Sequence, residues 1–153
     1  MLQYRIEGLD KLQEKLKDPE LLKGPVNRML RKSAAVVEGK AKEKAPVDTG
    51  RLRASIASRI KETEARVGSP VQYAVFVELG TRPHFPPPRA LQPWAQRHGL
   101  PPGLQGAYML AHAIAKRGTK AHPFLQPALQ ESIPVIERFA EEAAREIEAK
   151  WGK

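Results

Sequence analysis

A chain of 153 residues with 41% hydrophobic and 28% charged residues has the composition of a folded domain rather than of a disordered or fibrous chain. It contains no cysteine, which excludes a disulfide scaffold, a thiolate metal site and a cysteine nucleophile. Its net charge of +9 is unevenly spread: +4 over residues 1–46, +2 over 47–68, +5 over 69–122 and −2 over 123–153.

The first residues, Met1 to Lys11, carry charges throughout and have no apolar core segment of the signal-peptide kind. Leu2, Tyr4 and Ile6 alternate with polar residues and predict a short strand stopped at Gly8; Leu9, Leu12 and Leu16 predict a helical turn or two. Asp18-Pro19-Glu20 has the chemistry of a helix start. Leu22, Val26, Met29/Leu30, Ser33, Val37, Ala41 and Ala45 then recur at spacings of three and four, predicting a long amphipathic helix ended by Pro46. Pro25 falls in its second turn, where it either bends the helix or delays its start.

Asp48-Thr49-Gly50 reads as a turn. Alternation predicts a strand over 52–61, a reversal at Glu62-Thr63-Glu64, a return strand over 65–68, and a third strand over 71–79. Seven of the 14 prolines lie between Pro83 and Pro102, predicting a Pro-rich loop or arm over about 83–106, with a short helix at Leu91–His98 that His98-Gly99 ends. Ala107–Lys116 reads as a short apolar helix capped by Gly118. Leu129, Ile133, Ile136, Ala140, Ala143/Ala144, Ile147 and Trp151 predict a second long helix. Around Pro134, either Ser132 caps a helix that begins there, or a helix begun near Gln126 kinks at 134. Internal repeats are not apparent, and the longest uncharged stretch, His98 to Ala115, is broken by Pro, Gly and His and is no membrane span.

The expectation is therefore one α+β domain over residues 1–153. A small antiparallel sheet of three to four strands packs against the long N-terminal helix and the C-terminal helix.

Chemistry-bearing patterns are sparse. His84, His98, His112 and His122 have no zinc-ligand spacing, and Glu78 is the single acid of the 69–122 block, so a paired-carboxylate site is hard to build there. No serine lies in a nucleophile elbow, and Gly103-Leu104-Gln105-Gly106 is not a phosphate loop. Asp48-Thr49-Gly50 follows a charged helix end, not the apolar strand that an aspartic-protease turn requires. Arg28, Arg31, Lys32, Lys40, Lys42 and Lys44 spread over several helix faces and form no single phosphate-binding stripe. No catalytic residue, metal or cofactor is expected. The charge alone points to a polyanion, or to head-to-tail contact between basic and acidic patches of identical subunits.

Three segments together carry a resemblance. Lys44-Ala45-Pro46-Val47-Asp48-Thr49-Gly50-Arg51-Leu52-Arg53-Ala54-Ser55-Ile56 resembles an aP-x-DTG-x-L-x-x-S-I signature. Tyr73-Ala74-Val75-Phe76-Val77-Glu78-Leu79-Gly80-Thr81 is similar to YA-x-x-VE-x-GT. His122-Pro123-Phe124-Leu125-Gln126-Pro127-Ala128-Leu129 is similar to pFL-x-PAL. In this order they resemble the tail-completion, or minor tail and neck, protein family of lambda-like siphophages. The resemblance implies a virion structural protein, not an enzyme, at the head–tail junction or the end of the tail tube. It would assemble as a homo-oligomeric ring, with or without a template, and join connector or adaptor to tail-tube proteins. Non-specific contact with genome DNA in the channel would follow; a basic nucleic-acid-binding phage protein is the alternative reading.

Asp48, Thr49, Gly50, Glu78, Gly80 and Thr81 are expected as structural turns, with Gly50 and Gly80 at positive φ or packed too closely for a Cβ. Arg51, Arg53, Arg82, Phe85, Trp94, Glu137 and Glu141 are candidate interface residues, Glu78 having Arg51, Arg53 or Arg82 as candidate ion-pair partners. The proline-dense stretch is expected to be mobile in the free chain and ordered on assembly.

Overall fold

The computed structural model describes residues 19–61 and 64–151. The expected strand at 2–6, the turns at 9–16 and the Asp18 cap lie outside the described residues. In order, the elements are α1 (Pro19–Lys44), α2 (Arg51–Ser55), β1 (Ala57–Lys61), β2 (Glu64–Gly68), α3 (Ala74–Leu79), α4 (Pro88–Arg97), α5 (Leu104–Arg117), α6 (Leu125–Gln130) and α7 (Ile133–Trp151). The chain divides into two compact units, one made of residues up to 69 together with 125 onwards, the other of residues 70–124.

In the first unit the long helix α1 is the spine, and α2, the β1–β2 hairpin, α6 and α7 all pack on it. The buried positions Ser33, Ala34, Val37, Ala41 and Ala45 follow the expected helical spacing. The helix begins at Pro19 with Pro25 inside it and fully buried, so of the two alternatives at Pro25 the delayed start does not occur. β1 and β2 pair antiparallel with Ala57 opposite Gly68 and Lys61 opposite Glu64. This pair is the whole sheet among the described residues, so the expected third strand over 71–79 is corrected and the meander is a two-stranded hairpin there.

Two segments differ from their alternating pattern, for related reasons. In 51–56 the two deeply buried side chains are Leu52 and Ile56, four residues apart. That spacing suits a helical turn as well as a strand, and only 57–61 joins the ladder. In 71–79 the residues turned inward are Val71, Ala74, Val77 and Glu78, a helical spacing, while Tyr73, Val75, Phe76 and Leu79 are exposed. The β-branched and aromatic residues of α3 have high strand propensity, but that preference is decided by context and has no ladder to join here. The bonds from Ala74 N–H to Val71 C=O and from Val77 N–H to Tyr73 C=O are helical.

Around Pro134 both helices exist, α6 and α7. Ser132 is fully buried between them. Its hydroxyl donates backwards to the Ala128 carbonyl at 2.7 Å, and its own carbonyl accepts from Val135 and Ile136, opening α7. Neither alternative holds alone: the serine closes one helix with its side chain and starts the next with its backbone. Pro134 sits in the first turn of α7, where its missing donor costs nothing.

In the second unit α4 packs on α5. The contact is lined by Ala95, Ala107 and Ala111, all fully buried, with Ile114 one turn further on. Small side chains let the helix backbones approach closely. A Cβ on Gly106 would strike the Pro101 carbonyl. The Pro-rich stretch is thus not a plain loop: Pro86-Pro87 leads into α4, with Pro88 as its first residue, and the helix ends at His98-Gly99 as expected.

Candidate interaction surfaces

The three signature segments resolve into local devices. In the first, Gly50 has φ 78° and ψ −7°, and its carbonyl accepts from Ala54 N–H to open α2. Leu52 and Ile56 fill the core. Ser55 Oγ donates to the Leu52 carbonyl and meets Ser69 Oγ at 2.7 Å, latching the start of the hairpin to its end. Asp48, Thr49, Arg51 and Arg53 lie on the surface around this turn.

The second and third segments are tied to each other. Phe124 N–H donates to Glu78 Oε2 at 2.7 Å, and His122 N–H donates to the Val77 carbonyl at 2.8 Å. Glu78 is thus anchored to the backbone of the third segment, and Phe124 is completely buried.

Beside this junction, Thr81 and Thr119 form an isolated antiparallel bridge. Each donates its N–H to the other's carbonyl, at 3.1 and 3.2 Å, and the two hydroxyls lie 3.0 Å apart. A glycine precedes each threonine, Gly80 with φ 69° and ψ −175°, Gly118 with φ 71° and ψ −160°. That backbone region is essentially open only to glycine. Space forbids a side chain as well: a Cβ on Gly80 would sit 2.5 Å from the Thr119 carbonyl, and one on Gly118 would strike the Thr81 carbonyl.

This clasp shows what sequence reading missed. Gly80-Thr81-Arg82-Pro83-His84-Phe85 and Gly118-Thr119-Lys120-Ala121-His122-Pro123-Phe124 are two copies of one short string, Gly-Thr-basic-x-His followed by Phe. The repeat was the available signal, and it is too short to stand out without the bridge that pairs its two copies.

Of the candidate interface residues, Phe85 is half exposed and meets His112 edge to face at 5.3 Å. Trp94 is also partly exposed and stacks on His98 with ring centroids 3.8 Å apart. Arg82 follows Thr81, and Lys116, Arg117 and Lys120 are within three residues of Thr119, so four exposed cations lie close in the chain to the bridged pair. A cleft of about 290 Å³ opens there, lined by Phe76, Thr81, Arg82, Pro83 and His84. From Leu79 to Gln130 the chain has no Asp or Glu.

Glu137 and Glu141 are exposed on α7. Charges on the same helix that face α1 are paired: Glu142 with Lys32 at 3.1 Å, and Glu146 with Arg28. Lys44 reaches Glu131 at 2.6 Å, and Lys40 donates to the Glu131 carbonyl. Hydrogen bonding by Lys44 lowers the pKa of Glu131, and that by Arg28, then Lys150, lowers the pKa of Glu146. Glu38 accepts from Lys42 at 2.6 Å and from the Ser58 N–H of β1 at 2.8 Å, and these bonds, Lys42 first, hold its pKa below the usual glutamate range. Glu137, Glu141 and Glu148 make no ion pair among the described residues.

No group of three or more His, Asp or Glu among the described residues could hold a metal ion, and none of the described helices is long and apolar enough to cross a membrane. What this fold presents is a set of glycine-built turns and segregated surface charge. Residues 7–80 match the model of a family described as "Bacteriophage HK97-gp10, putative tail-component". The match takes in the first segment whole and the second up to Gly80, and it makes this part of the chain similar to that family of phage tail components. No curated protein and no solved structure matches the chain.

Proposed function

We propose that this tail-related protein is a ring-forming component at the head–tail junction or the end of the tail tube, joining connector to tail. The observation that carries the reading is the separation of its free charge. The clasp region holds cations with no acid in the surrounding sequence from Leu79 to Gln130, while α7 presents Glu137, Glu141 and Glu148 with no ion pair among the described residues. Oppositely charged surfaces on one chain suit a head-to-tail contact, and such contacts close into rings when the rotation between neighbours allows. A ring at that position encloses the path of the genome, and the same excess of positive charge suits non-specific contact with its phosphates.

Imaging of intact particles or isolated tails tests this. The expected result is a closed ring of several copies at one end of the tail; a single copy, or isolated two-fold dimers, would sink it. A nucleic-acid-binding role would instead require nanomolar DNA affinity with a steep salt dependence from the isolated chain.

A further inference from the structure

We infer that the clasp of one copy is the socket for the start of α7 of the next, with Ile133 entering the cleft beside Pro83 and Glu137 and Glu141 facing the cations close in the chain to the Thr81–Thr119 bridge. The inference rests on the ring reading and names the surfaces that would make it.

Three observations converge. First, Ile133, Glu137 and Glu141 are spaced by four along α7, so they form one column on its surface, and all three are exposed. The column runs about 12 Å from Ile133 to Glu141 at the helical rise per residue. Its next member, Arg145, ends the acidic run, and Arg138 is engaged with the neighbouring Phe139 ring at 5.8 Å. Second, the cleft beside the clasp is lined by Arg82 together with Phe76 and Pro83, and three more exposed cations, Lys116, Arg117 and Lys120, lie within three residues of Thr119 in the chain. Its volume of about 290 Å³ is at or below the floor of the range for small-molecule sites, roughly 300–1,000 Å³. It is ample for one branched aliphatic side chain. Third, the two surfaces are complementary in kind: one exposed isoleucine followed by two carboxylates, against a largely apolar cleft that Arg82 lines, with further exposed cations nearby in the chain. An apolar anchor surrounded by complementary charge is the usual economy of a specific contact.

Second copies are favoured over DNA as the occupant because the cleft is apolar where phosphate would sit, and because the matching carboxylates are on the chain itself.

The absence of cysteine permits a clean test. Single variants Ile133→Cys and His84→Cys are made, along with the double variant, and treated with a short bis-maleimide in tails recovered from producing cells. His84 is exposed and lines the cleft. The expected outcome is no like-to-like product from either single variant, a covalent dimer from tails containing both, and a ladder of multimers from the double variant. A charge exchange provides the second arm. Glu137→Lys with Glu141→Lys should lower incorporation into tails at least tenfold, and adding Arg82→Glu with Lys116→Glu should restore it. If the chain is in tails but links only like to like, or not at all, the socket is wrong and the tail role stands. If the acidic changes leave incorporation unaltered, or the exchange fails to rescue folded protein, the socket is likewise overturned. If the chain is absent from tails, the proposed function itself falls.

Discussion

The two compact units handle charge in opposite ways. In the unit built on α1, cations find acids within the unit: Arg28 with Glu146, Lys32 with Glu142, Lys42 with Glu38, Lys44 with Glu131. In the unit of residues 70–124, the single acid Glu78 is bonded to the Phe124 backbone, and the unit's sequence holds no other Asp or Glu to balance its six Lys and Arg. Cohesion there comes from elsewhere, from alanine-lined helix packing and from two glycines that let backbones touch. Exposed ion pairs contribute only about 0–1 kcal/mol each, so the first unit gains specificity of packing from them more than stability. The comparison teaches that an unbalanced charge need not destabilise a unit whose packing is close, and that such a charge is left over for a partner.

The largest expected effect lies in the second unit. Gly118→Val or Gly80→Val combines left-handed backbone with a collision against carbonyl oxygen, and should cost about 3 kcal/mol or more, against roughly 1–3 for the backbone strain alone. Melting temperature and amide exchange in residues 70–124 are the measurements. Gly50 sharpens the contrast, because a Cβ there meets nothing within 4 Å and only the conformation is demanding. Gly50→Val should cost about 1–3 kcal/mol, whereas Gly50→Asn, which tolerates the left-handed region, should recover most of that loss. Equal penalties at Gly50 and Gly118 would break the distinction.

Acid should act mainly on the first unit. The folded pKa values of Glu38, Glu131 and Glu146 are lowered by their cation partners. A lowered carboxylate pKa means that the contribution is complete above the ordinary glutamate range and is lost as pH falls through the folded value. Amide protection along α1 and β1 should therefore weaken between neutral pH and about pH 3 more than protection along α4 and α5. Glu38→Gln keeps the shape but removes the charge, and should cost about 1 kcal/mol and flatten that acid response. The smallest effect is expected at Ser33, whose buried hydroxyl has no hydrogen-bond partner among the described residues. Ser33→Ala removes an unpaired polar atom and improves helix propensity, so it should be neutral or stabilising by about 0.5 kcal/mol in thermal melts.

Sequence made the long helices legible because their apolar positions repeat over many turns: α1 is the clearest instance, and the end of α5 at Gly118 follows from its glycine. The positive φ of Gly50 and Gly80 was equally readable, since turn chemistry is local. What was not readable depended on company. Residues 71–79 alternate as a strand would, and whether they become one is decided by the presence of a neighbouring ladder. Over such short windows, Leu52 with Ile56, four residues apart, satisfies both periods. The clasp was hidden for a different reason. Glu78 meets Phe124, and Thr81 meets Thr119, across a long stretch of chain, so no local pattern relates them. The exposed acids of α7 were visible, but which of its glutamates were already taken by α1 was not.

One consequence of the threonine bridge concerns length. Because Thr81 and Thr119 hold each other directly, the gap between the two ends of the intervening stretch is fixed by their own hydrogen bonds. The entropy of closing a loop rises only as the logarithm of its length, so a longer or shorter stretch would alter that closure by well under about 1 kcal/mol for each doubling. The bridge thus works like the drawstring of a pouch: the contents between the two threonines can be exchanged for a bigger or smaller load, and the mouth stays the same width.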